Sequence, residues 1–301
     1  MRIVSLLPAA TEIVCALGLR ESLVARSHAC DFPEGVGQLP ALTRSRVDSS
    51  LPSGSLDAEV RRVVTQGLPL YELDEARLAE LRPDVVVTQE TCAVCAVSRA
   101  QVAACLEGVA SPPRIVSLSP ARLSDVLSDV RAVAAACGVP GRAAGRVREL
   151  EGRLRGASRG ARRPLPRVAV LEWLDPPMLA GHWVPETLEA AGSIPVGPPP
   201  GARSPQATWD EIQSLQPDAL VVAPCGLDLP RVLEEARGSA STLSQLAPRV
   251  LLLDGNAYLN RPGPRLADAA ETVGAWLRGE GVSWPRGLDL GRATAVLGGR
   301  S

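Results

Sequence analysis

Leu81-Arg82-Pro83-Asp84-Val85-Val86-Val87 and Leu215-Gln216-Pro217-Asp218-Ala219-Leu220-Val221 are two versions of one local instruction. In each, an amphipathic stretch stops at a Pro-Asp pair and a short apolar run begins, which reads as a helix giving way to a buried strand. The surroundings repeat too. Leu73-Asp74-Glu75 precedes the first copy and Trp209-Asp210-Glu211 the second, and each strand is followed within a few residues by a cysteine, Cys92 or Cys225. Downstream, Pro113-Arg114-Ile115-Val116 parallels Pro248-Arg249-Val250-Leu251. Two matched segments in one order point to a duplicated unit.

Outward from these segments, short β-branched runs alternate with longer amphipathic stretches, the signature of βαβ units. Strands are predicted at Arg2–Leu6, Leu23–Ser27, Val85–Thr88 and Arg114–Leu118, then at Arg167–Leu171, Ala219–Val222 and Val250–Leu253. A first helix is expected from Thr11 as N-cap to Gly18. Leu123–Cys137 reads as a helix closed by Gly138-Val139-Pro140-Gly141. Arg142–Arg155 puts Ala143, Val147, Leu150 and Leu154 on one face, with Glu149/Arg153 and Glu151/Arg155 as i,i+4 pairs. The fold class is therefore α/β: two Rossmann-like lobes with mostly parallel sheets, joined by a long interlobe helix. The boundaries are 1–138 for the N-terminal lobe, 139–163 for the linker helix and 164–301 for the C-terminal lobe, whose tail beyond Gly279 is expected to be loose.

Composition narrows the function classes. The net charge is −1 over 301 residues, which argues against nucleic-acid or anionic-membrane partners. Every one of the 32 basic residues is Arg, so Schiff-base and Lys general-base chemistry are excluded. No apolar stretch is long enough for a membrane span. Met1-Arg2 runs straight into Ile3–Leu7, which Pro8 and Thr11-Glu12 interrupt before a signal peptide could form. The expectation is a chain without an export leader, located in the cytoplasm, whose seven Cys are thiols or ligands rather than disulfides. No P-loop, GxGxxG or HExxH motif is present, and without a nucleophile–base pairing an enzyme is the less expected outcome.

Taken together, the order of elements resembles the iron/vitamin B12 type of periplasmic substrate-binding protein, the class III architecture. Ser5–Glu12 with Ala16-Leu17-Gly18, Tyr71-x-Leu73, Leu81-x-Pro83-Asp84 and Pro217-Asp218 carry that likeness over nearly the whole chain. A narrower likeness is to leaderless proteins labelled cobalamin-binding. It rests on Ser27-His28-x-Cys30-Asp31-x-Pro33, Leu42–Asp48, Cys92-x-Val94-Cys95, Leu171–Pro177, Ala180–Glu186, Pro224-Cys225-Gly226 and Asp254–Arg265. The resemblance implies a corrinoid or related tetrapyrrole ligand, cobalamin first among them, held between the lobes by an intracellular carrier or sensor. The ordinary family role, substrate-binding component of an ABC transporter, is the expectation if a leader belongs to the protein.

Ligands of open parallel sheets sit beyond the carboxyl ends of the strands. That rule selects Pro8, Thr11 and Glu12 in the first lobe, and Trp173, His182, Trp183, Tyr258 and Arg261 in the second, as ligand-binding candidates; Arg44 and Arg46, in a segment that carries the narrower likeness, join them as polar anchors. Trp173 and Trp183 offer flat apolar walls to a macrocycle. The arginines offer bidentate anchors for carboxylate or phosphate. His28, Cys30, Cys92, Cys95 and Cys225 form a candidate metal set, suited to zinc, an iron–sulfur cluster or an axial contact to cobalt or iron. The same cysteines also fit buried packing or a redox CxxC pair, and a cytoplasmic metalloprotein or Fe–S enzyme is the alternative from another class. Cys15, Cys105 and Cys137 are expected in cores.

Overall fold

A computed structural model describes residues 1–89, 97–107, 111–282 and 287–290. Its contacts divide the chain into two units. One comprises Met1–Leu51, Ser55–Pro120 and Ser124–Glu149, the other Pro52–Gly54, Ala121–Leu123 and Leu150–Ser301.

In the first unit, strands β1 (Ile3–Ser5), β2 (Leu23–Arg26), β5 (Val85–Gln89) and β6 (Arg114–Leu118) form a sheet of order β2-β1-β5-β6. All its pairings are parallel. Strands β3 (Thr43–Ser45) and β4 (Tyr71–Leu73) make a separate antiparallel pair. Helices α1 (Pro8–Ala16), α2 (Ser53–Thr65), α3 (Glu75–Leu81), α4 (Arg99–Cys105) and α5 (Leu123–Ala136) complete the βαβ alternation. Val4, Leu6, Ala25, Leu42, Leu78, Val86 and Val102 pack into one core. Helix α1 begins earlier than expected. Pro8 takes the first helical turn behind Leu7 as N-cap, because proline's fixed φ and missing N–H suit that place. Thr11 lies inside the helix and bonds inward.

Helix α6 (Pro140–Ala157) is longer than the predicted Arg142–Arg155, about 27 Å at 1.5 Å per residue. The boundary between units, Glu149/Leu150, falls inside it. In the first unit Arg142 donates to the carbonyls of Leu17 and Gly18 at 3.0 and 3.1 Å. In the second unit Arg153 reaches Glu271 at 2.6 Å and Asp268 at 2.9 Å. Arg153 thus leaves the expected Glu149, which pairs with Arg146 instead, while Glu151/Arg155 is present at 3.8 Å.

The second unit holds β7 (Arg167–Leu174), β8 (Pro177–Leu179), β9 (Ile194–Pro195), β10 (Ala219–Val222), β11 (Val250–Leu253) and β12 (Gly287–Asp289). The order is β12-β11-β10-β7-β8, with β9 on β7. The central pairings are parallel; β8 and β12 add antiparallel edges. Helices α7 (Val184–Ala190), α8 (Trp209–Ser214), α9 (Leu229–Leu246) and α10 (Leu266–Leu277) flank it. The tail is not wholly loose: β12 pairs with β11, and Trp276 Nε1 donates to Asp289 at 2.9 Å.

The duplicated segments fold alike. Arg82 and Gln216 both take left-handed φ, 42° and 46°, turning the chain out of its helix. Each following aspartate then grips the first strand of its sheet. Asp84 accepts from Arg2 N at 2.6 Å and Asp218 from Arg167 N at 2.7 Å. The backbone answers in kind, Asp84 N to Arg2 O and Asp218 N to Arg167 O, both at 2.8 Å. Both arginine side chains fold back onto helix-end carbonyls, Leu81 in one case and Leu215 with Gln216 in the other.

Candidate functional site

At the carboxyl ends of β1 and β2 the first unit has a shallow recess lined by Leu6, Ser27, His28, Ala29, Thr43, Tyr71 and Val97. Arg26 shapes its rim by donating to the carbonyls of Ser27, His28 and Gly37 at 2.8, 3.1 and 2.7 Å. Thr43, the first residue of β3, accepts from His28 N at 3.0 Å and meets His28 Nδ1 at 2.7 Å. The imidazole lies 5.3 Å from the Tyr71 ring at 41°. Burial, then the Arg26 charge, pushes the His28 pKa down, so the ring is neutral at pH 7. In the tautomer that gives Nδ1–H to Thr43 Oγ1, Nε2 keeps a lone pair for a metal or a proton.

Several predicted ligand residues have partners within the chain. Thr11 and Glu12 are buried at 0% and 3% exposure. The Thr11 hydroxyl bonds Ser5 Oγ at 2.8 Å and Cys30 Sγ at 3.0 Å. Cys30 is therefore enclosed behind α1 rather than presented at the rim. Pro8 serves as the helix start. Arg44 and Arg46 converge on one carboxylate, Glu72 of the opposing strand, Arg46 at 3.0 Å, a cross-strand pairing. Sequence reasoning passed over Thr43 and Tyr71 as site residues, although Tyr71 is one of only two tyrosines in the chain.

In the second unit the loops after β7, β10 and β11 carry the other candidates. His182 has φ 53°, its N–H donates to Ala202 O at 2.6 Å and its carbonyl accepts from Gly201 at 2.9 Å. Gly181 must be glycine there, since a Cβ would meet Ala202 O at 2.3 Å. Trp183 stacks on His182 with centroids 5.6 Å apart and donates Nε1 to Leu259 O at 2.7 Å. Trp173 Nε1 donates to Asp175 O at 2.9 Å. The Arg265 guanidinium lies 5.9 Å over the Tyr258 ring. Arg261, an expected ligand anchor, is only 5% exposed and donates to Asn256 Oδ1 at 2.7 Å; it braces its own loop.

Glu172, at the end of β7, is the most perturbed carboxyl near these loops. Burial raises its pKa to about 7 against the pull of a hydrogen bond to Ser204. Ser204 Oγ also accepts from Gly181 N at 3.0 Å, so this carboxyl supports the His182 turn. Cys225 is exposed, its N–H bonded to Glu172 O at 3.0 Å.

The metal set divides accordingly. Cys92 and Cys95 lie outside the described residues. Among the described residues no three His, Cys, Asp or Glu side chains converge on a metal-sized point, and no helix is long and apolar enough to cross a membrane. Cys137 is buried as expected, whereas Cys15 and Cys105 are only partly so. Gly156-Ala157-Ser158-Arg159-Gly160 spells GxSxG, but Ser158 follows α6 rather than crowning a strand, so it forms no nucleophile elbow.

No protein-family model and no curated protein matches the chain. Solved structures do. A periplasmic heme-binding protein from Pseudomonas aeruginosa superimposes with TM-score 0.69 at 23% identity, over 96% of this chain and 97% of its own. The heme-binding RhuT of Roseiflexus sp. RS-1, in apo form, gives 0.67 at 23%, over 92% and 98%. The vitamin B12-binding BtuF of Vibrio cholerae gives 0.64 at 21%, over 92% and 96%. The chain shares its α/β fold, with two mostly parallel sheets, with these periplasmic binding proteins of class III type.

Proposed function

We propose that this chain is a non-catalytic binding protein for a corrinoid or related tetrapyrrole, with cobalamin and haem as the two ligand classes to distinguish. The observation that carries the reading is the recess holding His28, Thr43 and Tyr71, where a neutral imidazole with an oriented Nδ1 stands at the strand ends of a parallel sheet. Such a ring supplies the donor that iron or cobalt takes. The recess is shallow, with about 10 Å³ of free space against the roughly 300–1,000 Å³ of a whole small-molecule site, so a macrocycle would meet it only at an edge. The structural neighbours, which bind heme or vitamin B12, support the ligand class. Titration with haemin and with hydroxocobalamin tests it: saturable shifts of the visible bands at micromolar or tighter affinity are expected from one of them. Band positions identical to free ligand in both cases overturn it.

A carrier or sensor inside the cell and a binding component serving an ABC transporter are two settings for the same chemistry. The intracellular one is proposed first, and fractionation of producing cells with antibody detection decides between them.

A further inference from the structure

The loop from Ser27 to Leu39, between β2 and β3, carries His28 near its start and holds one short helical turn, Val36–Gln38. Only Ser27, Cys30 and Val36 of this loop are buried, so apolar burial does little to fix it. Hydrogen bonds from Arg26 take that part. Its backbone closes the base of the loop, with N–H to Pro40 O at 2.9 Å and carbonyl from Leu42 N at 2.8 Å. Its side chain then turns back over the loop. Nη1 donates to the carbonyls of Ser27 and His28 at 2.8 and 3.1 Å, and Nη2 to that of Gly37 at 2.7 Å. One guanidinium thus ties the start of the loop to its helical turn. A planar fork of fixed donors can bridge two segments in this way, whereas a lysine ammonium is a single point. His28 is consequently held through its carbonyl by Arg26, and through its N–H at 3.0 Å and Nδ1 at 2.7 Å by Thr43 Oγ1.

We propose that Arg26 is the positioning residue of the His28 site: by gripping these carbonyls it sets the imidazole in place before any ligand arrives. Such preorganisation raises affinity because the loop need not be ordered in the binding step. The inference deepens the tetrapyrrole reading and rests on it only for the ligand bound. Arg20 supplies the contrast. Its Nη1 donates to Glu34 O at 2.8 Å, bracing the same loop at a residue that makes no bond to His28. If bracing the loop were all that mattered, the two arginines would be equivalent. A positioning residue sets Arg26 apart.

Ring 15N spectra of the full-length, ligand-free protein at pH 8 test this, with His28→Ala identifying the His28 signals by elimination. The wild type and Arg20→Lys are expected to show one fixed His28 tautomer, held by Thr43. Arg26→Lys keeps the charge but loses the fork, and its two ring nitrogens should move towards a common, averaged shift. The amides of Ala29 and Cys30 both bond Ser27, and their hydrogen exchange should be about tenfold faster in Arg26→Lys. Titration with haemin and with hydroxocobalamin adds a binding readout. The ligand that the wild type takes should bind about tenfold more weakly to Arg26→Lys and undiminished to Arg20→Lys. An averaged ring in the wild type, a ring unaltered by Arg26→Lys, or an equal effect from Arg20→Lys overturns the proposal. Arg26→Gln, which keeps a neutral donor, replaces Arg26→Lys should that variant not fold; if neither folds, Arg26 is a folding residue and the proposal fails. Should the wild type bind neither ligand, the tetrapyrrole reading fails while the ring spectra still decide the positioning.

Discussion

The two units are nearly identical at the amino ends of their strands and differ at the carboxyl ends. At one end, Arg2 with Asp84 and Arg167 with Asp218 repeat the same reciprocal pair of backbone and carboxylate bonds behind a left-handed turn. At the other, the first unit sets His28 against Thr43 and Tyr71, and the second sets His182 on Trp183, with a half-buried Glu172 reaching the same turn through Ser204. A duplicated scaffold keeps the turns that register its strands, because each buried strand start must have its N–H and C=O paired. The opposite ends carry no such obligation and are where ligand chemistry diverges.

The comparison breaks most visibly at Gly181. A Cβ there would sit 2.3 Å from Ala202 O, so Gly181→Ala should destabilise the second unit by about 4 kcal/mol. Thermal unfolding followed by circular dichroism checks this, and the His28 side should still perturb a bound ligand's spectrum.

Glu172 comes next. With its folded pKa raised from 4.5 to about 7, it keeps a proton in the folded chain that the unfolded chain has already lost. Stability therefore falls as pH rises between about 4.5 and about 7. Glu172→Gln removes that dependence and should be the more stable protein at pH 8 by on the order of 2 kcal/mol, with the gap closing below pH 5. Melting temperatures across that range decide it.

Thr43→Val isolates the first unit. Without a partner for Nδ1, His28 loses its orientation, and ligand affinity should drop about tenfold; the melting temperature should also fall, because Thr43 Oγ1 accepts from His28 N as well. The smallest effects belong to the shared turn: Asp84→Ala and Asp218→Ala should each cost about 1 kcal/mol and match within about 0.5 kcal/mol. Unequal losses would mean that the two turns, alike in geometry, have drifted apart energetically.

Much of the scaffold was legible in the sequence for the same reason that it is conserved between the halves. Apolar runs opening just after a proline read as strands, and Arg114–Leu118, Ala219–Val222 and Val250–Leu253 coincide with the observed strands. The site was harder to read. Arg44, Arg46 and Arg261 look like anchors in a list of rim residues, yet Glu72 and Asn256, distant or unremarkable in sequence, already engage them. Thr11 and Cys30 meet across 19 residues in a contact that no periodicity announces. His28 was visible as a motif residue, but its orientation by Thr43 depends on how a loop and a strand 15 residues apart come together.

The central claim is that His28 presents a neutral, oriented imidazole to an iron or cobalt macrocycle. The most direct measurement is the absorption spectrum of the wild type and His28→Ala, each titrated with haemin and with hydroxocobalamin. The account predicts a saturable shift of the metal-centred bands for one ligand in the wild type, and its loss or displacement in His28→Ala. Superimposable spectra for the two proteins would contradict it.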